Sequence, residues 1–300
     1  MFEYGAYWLA DFVSRTIPRH VAYWFALRIS DLYYFFERRG RGAVMANLKQ
    51  VMAFKGWNPT ERELRLTART TFQFFGKYLV DFFRFQRLDE ADIRRLVAIE
   101  HPEYIEQAYR AGKGVIAVTA HLGNWEIGGA VLAGLGYPIN VVALRQPSDK
   151  LNDFFQKHRR KRGMVVMPLG ASVKRLIRAL RQNEFVALLA DRDYSDHKDF
   201  TMLCGAPACL PRGAAWLAEK TGAVILPGFV LRKEDDTFLM KMYPLIVPVP
   251  GMTQDEIQGK ISHVLEEAIS AYPHQWFMFQ KVWDGHSYGA GRIEHLPPVV

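Results

Sequence analysis

Two residues able to do acid–base chemistry, His121 and Glu126, stand five positions apart in the stretch Val115-Ile116-Ala117-Val118-Thr119-Ala120-His121-Leu122-Gly123-Asn124-Trp125-Glu126-Ile127-Gly128-Gly129. A neutral imidazole near pH 7 can take a proton from a hydroxyl. A carboxylate on its other ring nitrogen fixes the tautomer and stabilises the imidazolium that forms. No serine nucleophile stands beside the pair. The attacking oxygen would then belong to a substrate, which points to direct transfer of a group onto an acceptor hydroxyl. The other reading is a structural histidine at a strand end with Glu126 as an ordinary first-turn acid. Spacing alone leaves both open.

The elements around the pair decide whether its members can meet. On one continuous helix, residues five apart point about 140° away from each other. His121 must therefore precede the helix, with Glu126 in its first turn. The β-branched run before His121 reads as a strand and the small apolar residues after Glu126 as a helix. Asn124 is the expected N-cap, and a carboxylate just after it suits the helix dipole. Backbone N–H groups near Gly123 are candidates for steadying an oxyanion. Later strands are expected at Ile139 to Leu144, ending at Arg145, at Val165 to Pro168, at Phe185 to Ala190, ending in Asp191-Arg192-Asp193-Tyr194, and at Val224 to Pro227, with Phe238 to Met242 pairing back. Sites in open α/β sheets gather at the carboxyl ends of strands. His121, Arg145 and Asp191 all fall at such ends.

His-Leu-Gly-Asn-Trp-Glu followed by small apolar residues resembles the His-x4-Asp/Glu motif of the lysophospholipid acyltransferase superfamily. More narrowly, the chain resembles the bacterial lipid A biosynthesis (lauroyl/myristoyl) acyltransferases and the related phosphatidylinositol mannoside acyltransferases, from about Tyr7 to Trp283. The segment through Ile17-Pro18-Arg19, the Pro-x-Gly entry at Pro211-Arg212-Gly213 and Pro273-His274-Gln275-Trp276-Phe277 extend the likeness. The resemblance implies transfer of a fatty acyl group from an acyl carrier protein or coenzyme A thioester to a hydroxyl of a lipid or glycolipid. It implies His121 as general base and Glu126 as the acid that orients it. Gly123, Asn124, Arg145, Asp191, Arg192 and Asp193 become the substrate-binding candidates, with Arg145 and then Arg192 toward a phosphate. Asp191 and Asp193 could position the acceptor or His121, and a strand-end aspartate can also simply cap a turn. In the mycobacterial relatives an acid in the following loop pairs with the histidine, which makes Asp199 a second candidate for that partner. The Pro-Glu-Gly-Thr-Arg phosphate site of glycerolipid acyltransferases is absent, which argues against a glycerol-3-phosphate acceptor.

The rest of the chain is compatible with this. Its 300 residues are 49% hydrophobic, enough for a sizeable core, and carry a net charge of +8 that favours anionic partners. Residues 1–36 are rich in aromatics (Phe2, Tyr4, Tyr7, Trp8, Phe12, Tyr23, Trp24, Phe25, Tyr33, Tyr34, Phe35, Phe36) with Arg15, Arg19 and Arg28 among them. No 18-residue stretch there is free of charge, so helices lying in a membrane surface, or ordinary buried aromatic helices, are expected rather than a spanning one. Glu37-Arg38-Arg39-Gly40-Arg41-Gly42 reads as a basic turn. Residues 60–86 read as a long helix opened by a Thr60/Glu63 capping box, with a stripe (Phe72, Phe75, Leu79, Phe82, Phe83) that is core or acyl-chain groove. A basic helix from Leu151 to Arg162 would attract phosphates or an acidic carrier protein, or is a solvated face. Residues 195–210 read as a loop. The expected architecture is an α/β fold with a mixed, largely parallel central sheet flanked by helices. It divides into an N-terminal helical, membrane-associating layer (1–88), an acyltransferase core (89–285) and a polar tail (286–300).

Cys204 and Cys209 form no CxxC pair, so neither a zinc site nor a disulfide framework is expected, and a reducing cytoplasmic setting fits. No cleavable signal peptide is expected, since the N-terminus lacks a charged n-region. No cofactor, metal or nucleic-acid partner is expected: Asp191 and Asp193 have no third ligand nearby, and no nucleic-acid-binding motif accompanies the basic run. Gly134-Leu135-Gly136 lacks the third glycine of a dinucleotide loop, and there is no Gly-x-Ser-x-Gly elbow. The expected location is the cytoplasmic face of the inner membrane.

Overall fold

Apolar runs that alternate with capped helical segments build one seven-stranded sheet, in the order β1-β9-β8-β2-β5-β3-β4. The computed structural model describes residues 5, 11–14, 16–85, 90–145, 148–168, 170, 173–194 and 199–283. Three helices come first: α1 (Arg19–Phe36), α2 (Arg38–Phe54) and α3 (Glu61–Arg84). Then follow α4 (Glu90–Leu96), β1 (Val97–Glu100), α5 (Glu103–Arg110), β2 (Val115–Thr119), α6 (Trp125–Gly134), β3 (Ile139–Ala143), α7 (Asp149–Arg160) and β4 (Val165–Pro168). The remainder is α8 (Val173–Arg181), β5 (Phe185–Leu189), β6 (Phe200–Leu203), β7 (Ala206–Cys209), α9 (Gly213–Thr221), β8 (Val224–Arg232), β9 (Phe238–Met242), α10 (Gln254–Ala271) and a 3₁₀ turn, Pro273–Gln275.

Strands β8, β2, β5, β3 and β4 run parallel to their neighbours, while β9 returns antiparallel to β8 and β1 lies parallel to β9. The sheet is thus mixed and largely parallel, as the alternation of strands and helices predicts. Alternate side chains of each strand feed two cores. On one face Ile127, Ala130 and Val131 of α6 pack with Val115, Phe185 and Leu226. On the other, Leu180, Ala215, Leu217, Ile261 and Leu265 pack with Ile116, Val118 and Val186. All five parallel strands end at one edge, and that edge holds the site.

Helices α1–α3 form a separate apolar layer with its own cluster, in which Phe72, Phe82 and Phe83 of α3 meet Phe155 of α7 and Phe277 and Phe279. This resolves the stripe on α3 as core. The Thr60/Glu63 capping box opens α3, and a second, Thr253/Glu256, opens α10. Gly76 lets α3 approach α1, because a Cβ there would collide with Ser30. A buried polar network then ties the layer to the sheet. Tyr23 Oη donates to Asp81 Oδ1 (2.5 Å), Arg232 of β8 pairs with Asp81, and Arg232 Nη1 donates to Tyr23 Oη (3.0 Å).

Two local expectations are corrected. The basic turn at Glu37–Gly42 is instead the start of α2. Glu37 caps it by accepting from Gly40 N (2.9 Å), Arg41 bonds the Tyr34 and Phe35 carbonyls, and Gly40 is a tight contact point beside Phe279. The loop at 195–210 contains the β6–β7 hairpin, each strand only four residues long. Among the described residues no helix is long and apolar enough to cross a membrane. Phe2, Tyr4, Tyr7, Trp8, Arg15 and the tail from 286 lie outside the described residues.

Candidate active site

The end of β2 delivers His121 into a buried position, and the end of β5 delivers Asp191 beside it. Pairing of these neighbouring strands sets the encounter: Thr119 faces Leu189, and Ala190 N donates to the Thr119 carbonyl (2.9 Å), so His121 and Asp191, each two residues beyond that pair, emerge side by side. Asp191 Oδ1 lies 2.9 Å from His121 Nδ1, and Oδ2 accepts from the His121 backbone N–H at 2.9 Å. Oδ2 also accepts from the Trp276 indole at 2.8 Å. A carboxylate is acceptor-only, so the His121 ring proton sits on Nδ1 and Nε2 carries the lone pair. His121 lines the main cavity, and its Nε2 is buried and meets no hydrogen-bond partner among the described residues. A base fixed in this tautomer can deprotonate a hydroxyl brought to Nε2.

Electrostatics support a charged Asp191. Burial alone would push its carboxyl up, but the His121 ring and the hydrogen bonds from His121 and Trp276 hold it below the usual carboxylate range. Trp125 walls the imidazole edge-to-face at 5.0 Å and is itself stacked on Tyr78 of α3 at 4.4 Å.

The loop between β2 and α6 is pinned on both sides. The Phe277 N–H donates to the His121 carbonyl (2.7 Å), Gly123 N–H to the Gln275 carbonyl (2.9 Å), and Asn124 N–H to the Val230 carbonyl (2.7 Å). Gln275 also brackets the Arg232 backbone, accepting from its N–H and donating to its carbonyl, both at 2.9 Å. Gly123 has φ +64°, and a Cβ would strike the Val230 carbonyl, so only glycine fits this approach. The Gly123 and Asn124 amides are therefore committed to holding the loop, not to an oxyanion. Asn124 caps α6 as its position predicts, its Oδ1 accepting from Ile127 N (3.3 Å).

Glu126 is not the partner of His121. It points into a buried ion pair with Arg159 of α7, which donates through Nη2 (2.6 Å) and Nε (3.1 Å) to Oε1. The physical reason is placement: Glu126 is in the first turn of α6 on the side facing α7, whereas Nδ1 faces the neighbouring strand. Arg145 departs from expectation too. It is largely exposed, pairs with Asp149 one helical turn on (2.7 Å), and does not line the cavity. Arg192, Asp193 and Asp199 do line it, with Arg192 over the Tyr194 ring at 4.7 Å, but Asp199 is exposed and His121 has Asp191 as its partner. Arg212, which sequence reasoning passed over, lines the same cavity and pairs with Asp255. Trp276 was visible only as part of a resembling signature; its bond to Asp191 had no local signal.

The cavity measures about 960 Å³, at the upper end of the range for small-molecule sites. Its lining includes the charged Arg192, Asp193, Arg212 and Asp255. The apolar lining comes from both cores: Ala117, Leu132, Val141, Met164 and Met240 on the side of α6, which adds Gly128 and Gly129, and Val118, Val142, Leu188, Leu210 and Trp216 on the other. Small residues make the room and apolar ones make the walls, which suits long hydrocarbon chains with their polar ends at His121. Among the described residues no cluster of three or more His, Cys, Asp or Glu side chains could hold a metal ion.

Comparison with known proteins gives consistent results. The family model for bacterial lipid A biosynthesis acyltransferases matches residues 2–284. A phosphatidylinositol mannoside acyltransferase of Mycobacterium tuberculosis (strain CDC 1551 / Oshkosh) is 27% identical over 291 residues, covering 94% of this chain and 88% of its own. One of Mycolicibacterium smegmatis is 26% identical over 219 residues, covering 72% and 71%. The lipid A biosynthesis palmitoleoyltransferase of Escherichia coli (strain K12) is 23% identical over 292 residues, covering 93% and 92%.

The depressed Asp191 carboxyl predicts a pH effect. A group whose folded pKa lies below its unfolded value of about 3.9 adds stability that is present above that value and is lost as pH falls through the folded one. Denaturant titrations from pH 6 downward should show wild-type stability falling more steeply below about pH 4 than that of Asp191→Asn. Equal slopes for the two proteins would contradict a charged, hydrogen-bonded Asp191.

Proposed function

Because the chain belongs to the bacterial lipid A biosynthesis acyltransferase family, we propose that His121, held by Asp191 in the lining of the apolar cavity, is the general base of its acyl transfer. The enzyme is an acyltransferase acting on a lipid or glycolipid. The observation that carries the mechanism is His121 Nε2, buried and acceptor-ready on a residue that lines a cavity able to take fatty chains.

The acceptor hydroxyl gives its proton to Nε2 as its oxygen attacks the thioester carbonyl. Asp191 stabilises the imidazolium that results. Collapse of the tetrahedral intermediate breaks the C–S bond, and the imidazolium returns the proton to the departing thiolate, leaving an ester and a free thiol. The donor in this reading is an acyl carrier protein or coenzyme A thioester. The acceptor is a glycolipid such as a lipid A precursor, with a mannosylated phosphatidylinositol, as the mycobacterial relatives' names describe, as the second reading. Arg192 and Arg212, both in the cavity lining, are the cations proposed to meet a phosphate on that acceptor. Glu126 supports the site by fixing Arg159 and α7 against α6.

The helical layer, residues 1–88, is in this reading the unit that rests on the membrane. On α1 the apolar residues Phe25, Ile29, Leu32 and Phe36 recur at i, i+4, i+7 and i+11, with Trp24 and Phe35 beside them, and all are exposed; Ile29 is 65% and Phe36 68% accessible. An exposed apolar stripe this long, next to Arg28 and on a chain of net charge +8, suits the interface of an anionic bilayer. We place it as a peripheral protein on the cytoplasmic face of the inner membrane.

Two measurements test this reading. Thiol release from acyl carrier protein and coenzyme A thioesters should require lipid extract and should fall by about 10²–10⁴-fold in His121→Ala, with the fold intact by circular dichroism. Near-normal release from that variant would refute His121 as base, and absence of release from any donor would favour a lipid-binding protein without catalysis. In the second, Ile29→Asp combined with Phe36→Asp should weaken sedimentation with anionic vesicles by about ten-fold or more, since each buried large apolar side chain contributes roughly 1.5–3 kcal/mol. Unchanged vesicle binding would remove α1 as the membrane face.

A further inference from the structure

Helix α8 presents a face whose charge nothing in the fold explains. Lys174, Arg175, Arg178 and Arg181 are all exposed, and the helix contains no acidic residue. Lys174, Arg178 and Arg181 recur at i, i+4 and i+7 and so form one stripe, with Arg175 at its flank. Among the described residues no carboxylate pairs with any of the four. The acids nearest in the fold are engaged elsewhere: Glu184, after the helix, accepts from Asn140 (2.7 Å), and Glu219 on the adjacent α9 pairs with Lys220 (3.3 Å). Like charges at i,i+4 destabilise a helix, and an acidic partner on this face would offset that repulsion. The inner side is firmly seated, with Ala179 and Leu180 buried in the core that also holds α9. The stripe is thus a rigid, ready-made electrostatic surface.

Its position gives it a direction. Helix α8 follows β4, and β4, β3, β5 and β2 all run parallel. The first turn of α8, with Lys174 and Arg175, therefore lies at the same carboxyl edge as His121. Helix α8 leads back from the end of β4 and packs on β5, the strand next to β2, and on α9, with Leu144 and Arg192 of the cavity lining at the ends of β3 and β5. His121 is buried, so a partner docked on the outer face of α8 reaches it only through a slender arm. The face carries a single exposed apolar residue, Val173, in contrast to the aromatic stripe of α1, so it has the character of a protein-docking surface rather than a bilayer anchor.

We propose that α8 docks the acidic helical surface of an acyl carrier protein, whose flexible phosphopantetheine arm delivers the thioester across the sheet edge to His121. The proposal rests on the acyl-transfer reading of the site. Full-length wild type and the double variant Lys174→Glu with Arg178→Glu are compared on palmitoyl-carrier protein and palmitoyl-coenzyme A, with one lipid acceptor, at low and at physiological salt. Reversal of two docking charges should raise KM for the carrier-bound donor about ten-fold or more, leaving kcat and the coenzyme A reaction unchanged. Added salt should weaken the wild type's use of the carrier donor and spare the variant's. Use of the carrier donor with unaltered KM, or use of coenzyme A thioester alone, overturns the docking proposal while acyl transfer stands. A matched rise in KM for both donors together with lost binding to anionic vesicles overturns it by making α8 a membrane contact. If wild type consumes neither donor, the acyl-transfer reading itself fails, and this proposal with it.

Discussion

A carboxylate taken out of water must be compensated on the spot. Asp191 is such a carboxylate, and the site is arranged around its compensation. One oxygen takes the His121 ring, the other takes the His121 amide and the Trp276 indole. The three donors come from two distant parts of the chain, the end of β2 and the segment after the 3₁₀ turn, meeting at the end of β5. The same three bonds that keep the acid ionised fix the histidine tautomer and leave Nε2 as an acceptor in an apolar wall. The stability of the buried charge and the readiness of the base are thus one arrangement.

That arrangement is held by backbone zippering rather than by the helix that follows it. The segment Gln275–Phe277 bonds the His121 and Gly123 backbone from one side, and Val230 bonds Asn124 from another. Gln275 continues the connection to Arg232, whose guanidinium is buried with Asp81 of α3 and Tyr23 of α1. A continuous set of hydrogen bonds therefore links the catalytic loop to the helical layer, and Tyr78 beneath Trp125 adds a packed contact between the same two parts. The layer that presents apolar residues to its surroundings is, through these contacts, the layer that braces the base.

What could be read in the sequence was what is local. The β2–His121–α6 unit, the Asn124 cap and the Thr60/Glu63 box follow from neighbouring residues and appear as expected. The partner of His121 stayed open among four acids, Glu126, Asp191, Asp193 and Asp199, because Asp191 lies 70 residues away and its selection depends on β5 being the strand next to β2. Glu126, close in sequence and matching a motif, drew the assignment that strand pairing gives to Asp191. An acid ending an apolar strand as His121 does placed Asp191 at the right edge, as a candidate to position either the acceptor or His121. Arg145 satisfied the same rule and failed it, since β3 lies one strand further out and its end turns into α7 at the surface. Gly40 and Gly42 suggested a turn where tertiary contact with Phe279 sustains a helix.

The central claim is that Asp191 makes His121 a base. Single-turnover release of thiol in the presence of lipid acceptor, comparing wild type with Asp191→Asn, tests it most directly. The amide keeps the size of the side chain but can present its N–H₂ to Nδ1, which favours the wrong tautomer. The account predicts a rate lower by about 10²–10⁴-fold with donor binding and fold preserved. A rate within about three-fold of wild type would mean that the histidine needs no carboxylate at Nδ1, and the mechanism drawn from this geometry would be wrong.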